Sequence, residues 1–233
     1  MDRSQSAPVA PQTQQGRTTA RRLVVIGAIL VAVAAFGAAA AFGSADRSTA
    51  GVNWHPQQAS LGNEGPVDNA SATLTRNSNG ISYRLETNSL TANSAYTLWV
   101  VVVINPAACD PSPCTAPDII QNPATDSQVL FGTGLVAGGS GEATFAGAVK
   151  EGDLPGWLQD RSFDDATTAE IHLVLNDHGP KIPALLPDMI KTYRGGCSDE
   201  SPFPAIFPAT ALADGGVGPN TCRLSQSAIF AGS

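Results

Sequence analysis

The chain has 233 residues, 42% of them hydrophobic and 14% charged, with 13 basic side chains against 20 acidic ones and a formal net charge of −7. Beyond residue 45 the imbalance is nine basic against nineteen acidic residues, which argues against a nucleic-acid partner and against docking on anionic lipid through a basic patch. The length is enough to bury a sizeable core.

The first twenty residues are rich in Gln, Ser, Thr and Pro, which predicts a disordered tail over residues 1–20. From Leu23 to Gly43 there is no polar side chain, and Arg17, Arg21 and Arg22 stand before the run. A helix of that length rises about 31 Å, enough to cross a bilayer. Residues 21–43 are therefore expected to form a transmembrane helix, a signal anchor with its basic side in the cytoplasm and the body extracytoplasmic. The alternative is signal cleavage near residues 41–45, where small residues such as Ala41, Gly43 and Ala45 suit a peptidase, leaving a secreted protein. The long charged leader and the span of the run favour the anchor.

Residues 44–70 show neither helical nor strand periodicity and are rich in Gly, Ala, Ser, Gln and Asn, so they read as a flexible linker. Strand signals begin near Ser71. Ala72–Thr75 alternates, and residues 77–80 (NSNG) form a turn. Ile81, Tyr83 and Leu85 then alternate with polar residues. Tyr96 to Ile104 (YTLWVVVVI) is apolar on both faces and predicts a central strand. Val129–Ala137 and Glu142–Val149 flank the glycines of residues 138–141, a hairpin signal. Ala169–Asn176 and Cys222–Phe230 supply two more strands. This pattern predicts an all-β domain over residues 71–233, an antiparallel β-sandwich of Greek-key or Ig-like type with about seven or eight strands. A proline-rich loop is expected over residues 179–220, with one short helix within Ala184–Tyr193.

All four cysteines lie beyond the apolar run, where disulfides persist. The turn-forming Asp110–Pro113 segment can bring Cys109 and Cys114 within bridging distance, which leaves Cys197 to pair with Cys222. A zinc ribbon is not indicated, because the paired CxxC spacing and histidine partners are missing.

Few residues invite chemistry. His172 is expected on the outer, partly exposed face of its strand, with Ile171, Leu173 and Leu175 on the buried face. His178 is six residues on, too far to share a metal with His172 unless the chain folds back. Asp177 and His178 suggest an acid–base pair, but neighbours in a strand point to opposite faces, and Asp177–Pro180 reads more simply as a strand end. Gly132–Ala137 matches a G-x-G-x-x-A dinucleotide pattern, yet the following glycines cannot open the helix that chemistry needs. Trp157, beside Pro155 and Gly156, is a candidate exposed binding platform, with His178 as a second binding candidate. No metal site and no cofactor is indicated.

Four segments taken in order resemble a family of exported bacterial β-rich proteins of unknown function: YTLWVV at 96–101, NPAAC at 105–109, EIHLVLNDHGP at 170–180 and GGC at 195–197. The His-Gly-Pro turn after a strand is also similar to chordin-type (CHRD) domains. The resemblance implies an extracytoplasmic β-rich domain with two cysteine pairs and brings no catalytic residue. The sequence thus favours a membrane-tethered, non-enzymatic binding or envelope-associated module with an unidentified extracytoplasmic ligand or protein partner. The competing expectation is a hydrolase or metal-dependent enzyme centred on Glu170, His172, Asp177 and His178.

Overall fold

The computed structural model describes residues 45–154, 161–204, 207 and 217–232, all within the unit 41–233. The expected membrane helix at 21–43 and the candidate platform Trp157 lie outside the described residues. Among the described residues no helix is long and apolar enough to cross a membrane.

Eight strands form one antiparallel sheet: β1 (Asp46–Trp54), β2 (Pro66–Asn77), β3 (Gly80–Thr87), β4 (Ser94–Val103), β5 (Ser127–Val136), β6 (Ala143–Lys150), β9 (Glu170–Pro180) and β10 (Arg223–Phe230). The short strands β7 (Gly152–Leu154) and β8 (Arg161–Phe163) pair separately. The order in the large sheet is β5-β4-β9-β10-β1-β2-β3-β6, and the sheet curls until it is nearly closed into a barrel. The eight main strands thus form one continuous sheet and not the two facing sheets of the expected sandwich.

The reason lies in β1. Residues 46–54, which read as linker, register with β2 from Asp46↔Arg76 to Gly51↔Ser71 and with β10 at Asn53↔Ser227 and Trp54↔Gln226. Without β1 the remaining strands would separate into β5-β4-β9-β10 and β2-β3-β6, two halves suited to a sandwich. With it, they join edge to edge. The rest of the expected linker is ordered too: a 3₁₀ turn over Pro56–Leu61 begins on Pro56 and ends at Gly62, which takes the left-handed φ of 82° that closes it.

The Gly138–Gly141 segment was expected to make a hairpin. It connects β5 to β6, but these are the two outermost strands of the sheet and do not share a ladder. Tyr83 of β3 reaches this seam. A Cβ at Gly147 of β6 would lie 2.3 Å from the Tyr83 hydroxyl, and one at Gly132 of β5 would lie 2.7 Å from it. Glycine at both positions therefore makes room for a buried ring that fills the unclosed edge.

The sheet has apolar packing on both of its faces. Inward residues of every strand of the large sheet, among them Leu74, Leu85, Leu98, Phe145, Leu173 and Ala228, make the barrel core. On the outer side of β4, Trp99, Val101 and Val103 meet Cys114, Val129, Tyr193 and Phe207. This second cluster lies under two loop excursions. One carries the helix α1 (Ala116–Gln121), capped by Thr115 and Asp118, and the other carries the short helix α2 (Leu186–Met189). All ten residues of β4 are buried, although the strand is one place from the edge, because loops cover the face that solvent would otherwise reach.

Disulfides join Cys109 to Cys114 and Cys197 to Cys222, with Cα atoms 5.2 and 5.4 Å apart, so each excursion is stapled. At one end of the barrel Arg76 is 5% exposed and donates to the carbonyls of Ala169 (3.0 Å) and Ala231 (3.1 Å). Burial lowers its pKa, while the Asp46 charge acts in the opposite sense. Replacing it leaves the buried Ala169 carbonyl without this donor. Arg76→Ala is expected to lower the unfolding free energy by about 2–4 kcal/mol in urea denaturation. A loss within about 0.5 kcal/mol, the range of ordinary surface changes, would mean these bonds are dispensable.

Candidate functional site

The side chains with chemical potential lie along β9, and the strand decides how they are distributed. It runs unbroken from Glu170 and ends at Pro180, the last residue of the Asp177–Pro180 segment expected to terminate it, so Asp177 and His178 still lie within the strand. Alternation sends Ile171, Leu173 and Leu175 into the barrel core. Glu170, His172, Val174, Asn176 and His178 take the other face, beneath the loops.

At the start of the strand Glu170 Oε1 is 2.6 Å from His172 Nε2 and accepts the Cys114 N–H at 2.8 Å. The pair is 1% and 5% exposed, so His172 is buried and not partly exposed as the alternation alone suggests. Alternation identifies the face but not what covers it. Here the stapled loop and the start of α1 cover it. Burial works against the Glu170 charge. The hydrogen bonds from His172 and Cys114 and the nearby imidazole outweigh that cost and hold its carboxyl below the ordinary value. Its second oxygen, Oε2, is buried with no hydrogen-bond partner among the described residues.

Six residues on, His178 is fully buried. Trp99 Nε1 donates to Thr97 Oγ1 at 2.8 Å, Thr97 Oγ1 lies 2.7 Å from His178 Nε2, and His178 Nδ1 lies 2.8 Å from the Gly195 carbonyl. The carbonyl can only accept, which assigns the ring proton to Nδ1 and leaves Nε2 to accept the Thr97 hydroxyl. Asn176 donates to the Tyr193 carbonyl at 2.7 Å. Burial depresses the His178 pKa to about 4, against a smaller upward pull from the Gly195 bond. This neutral imidazole ties the second excursion to the sheet.

Asp177 points the opposite way. It accepts from the Tyr96 hydroxyl at 3.0 Å and from the Gly179 N–H at 2.7 Å. Burial raises its pKa, although both hydrogen bonds pull it down. It makes no pair with its neighbour His178.

The four residues of the expected enzyme site therefore do not converge. Glu170 and His172 meet, while His178 and Asp177 belong to separate networks. His178 does come close to Cys197 and Cys222, with ligand-type atoms all within 4.8 Å. Those sulfurs are bonded to each other, so the group offers no thiolate to a metal. His55, the remaining imidazole among the described residues, caps the 3₁₀ turn by accepting the Gln57 N–H at 3.2 Å, and burial lowers its pKa to about 4.

None of these side chains lines the recess of about 680 Å³ bordered by Asn69, Glu86, Thr87, Asn88, Glu142 and Thr144. Sequence reading missed this recess because its walls come from β2, β3 and β6 and from loop residues with no shared motif. Glu86 is engaged there by Arg84 at 2.7 Å.

The fold and its buried polar networks define a disulfide-stapled antiparallel β domain. Comparison with protein-family models, with curated proteins and with solved structures finds no match to this chain.

Proposed function

We propose that the chain is a membrane-tethered, extracytoplasmic and non-enzymatic binding or envelope-associated module, allied to the exported bacterial β-rich proteins it resembles. The observation that carries this reading is the use of its reactive side chains. Glu170, His172, Asp177 and His178 all hold loops or strands in place through internal hydrogen bonds, and they sit in three separate environments. A catalytic set needs a nucleophile, base or metal facing a common space that substrate can enter. Support for the compartment comes from the two disulfides, which persist in oxidising surroundings, and from the apolar run behind its cluster of arginines.

Protease added to spheroplasts that make the full chain should remove the body and spare the N-terminal tail. A body protected inside the spheroplast would overturn the localisation. Its recovery only in the medium would replace the tether by cleavage near residues 41–45. Metal analysis of the purified full chain tests the non-enzymatic part. Stoichiometric zinc, copper or calcium that His172→Ala removes would overturn it.

A further inference from the structure

The two disulfides differ in what surrounds them. Cys197 and Cys222 are 1% and 0% exposed, under the second excursion and against His178. Cys109 is half-buried, and the residues between it and Cys114, Asp110 to Pro113, are all exposed. An attacking thiolate must reach a disulfide sulfur, so access governs which bond exchanges first. We infer that Cys109–Cys114 is a reducible latch over the Glu170–His172 pair, opened by the dithiol of a thiol–disulfide oxidoreductase.

The exchange balances without any further reagent. A thiolate of the partner attacks Cys109 Sγ, the Cys109–Cys114 bond breaks, and a mixed disulfide forms. Cys114 leaves as a thiolate and takes a proton. The partner's second thiolate then breaks the mixed disulfide and releases Cys109, which also takes a proton. Two electrons and two protons pass to this chain, and the partner's dithiol ends as a disulfide.

Opening has a specific local consequence. The Cys114 N–H is one of the two groups bonded to Glu170 Oε1, and Cys114 leads directly into Thr115, which caps α1. With the staple intact, this segment seals a carboxylate whose Oε2 has no partner among the described residues. Once the staple is cut, the segment can lift and water can reach that oxygen, so hydration of a buried charge favours the open form. The second disulfide remains, which confines the change to the first excursion. This latch stands apart from the proposed binding role and requires only that the chain be oxidised.

The test uses the full chain in mild detergent at neutral pH, treated with reduced thioredoxin as a probe and trapped at intervals with an alkylating agent. Tryptic cleavage after Arg84, Lys150, Arg194 and Arg223 places the two cysteine pairs in separate peptides, 85–150 and 195–223. Peptide 85–150 should gain two alkyl groups at least tenfold faster than peptide 195–223. Amide exchange over residues 105–121 should accelerate at least tenfold in the Cys109→Ser/Cys114→Ser variant, while that of β10 stays unchanged. Equal rates for both bonds, earlier reduction of Cys197–Cys222, or resistance of both until denaturant is added would each overturn the latch. So would unchanged exchange over residues 105–121 in the double variant.

Discussion

A chain that begins at Ser71 will not fold, whereas one that begins at Ala45 will. The first removes β1 together with residues 66–70 of β2 and leaves the inner edges of β2 and β10 unpaired, dividing the eight-stranded sheet into two parts. It also takes away Val52, which is 1% exposed in the barrel core, and Ser48, which accepts a hydrogen bond from Arg76 at 3.3 Å. Two long unpaired edges are templates for aggregation. The shorter chain should therefore show no cooperative denaturation and should be recovered mainly as aggregate, while the longer one unfolds in a single transition. Cooperative unfolding of the shorter chain, with native-like near-ultraviolet circular dichroism, would show that β1 is an appendage and not a structural strand.

That contrast marks where the sequence is legible. Strands β3, β4 and β9 are announced by alternation or by continuous apolar character, because each has at least one wholly buried face. β1 is not announced. Its burial runs exposed, exposed, intermediate, exposed, intermediate, exposed, buried, exposed, intermediate, so only Val52 is fully enclosed. A strand held mainly by backbone ladders to two neighbours needs little apolar side chain, and Gly and Ala at Gly51 and Ala50 mimic a tether. The same gap explains the candidate site. Alternation separates His172 and His178 from the core face and separates Asp177 from His178. It carries no information about the loops that bury His172 and His178, since those loops are placed by disulfides and by contacts distant in sequence.

Acidification from pH 7 to pH 5 should destabilise the domain by about 2 kcal/mol, chiefly through His178. Its folded pKa is about 4, against an ordinary value of 6.5. Between those values the unfolded chain binds a proton that the folded chain refuses. The stabilisation is therefore complete above pH 6.5 and is lost as pH falls toward 4. His55, also depressed to about 4, acts in the same direction. Asp177, whose carboxyl is raised, works the other way and offsets part of the loss at the acid end. Glu170, held below its ordinary value, adds to the loss only under more acidic conditions. Denaturant titrations at pH 7, 6 and 5 measure the slope directly. His178→Gln should be less stable at pH 7, because the Thr97 and Gly195 contacts lose their matched partner. Its stability should also fall less steeply toward pH 5. Identical slopes for the two proteins would remove His178 from the account.

The pairing of β1 with β10 also sets an order of events in time. The first strand of the sheet finds one of its two neighbours only in the last strand, and Arg76 bonds to the carbonyl of Ala231 beyond it. A ribosome or a translocation pore delivers the chain from its N-terminus, so the ladder that unites the two halves cannot form until β10 has emerged. Until then the edges of β1 and β9 that face β10 remain available to other polypeptides. Contacts between residues so distant in sequence also slow folding. The period between emergence of β2 and arrival of β10 is when this protein most needs the protection of a chaperone.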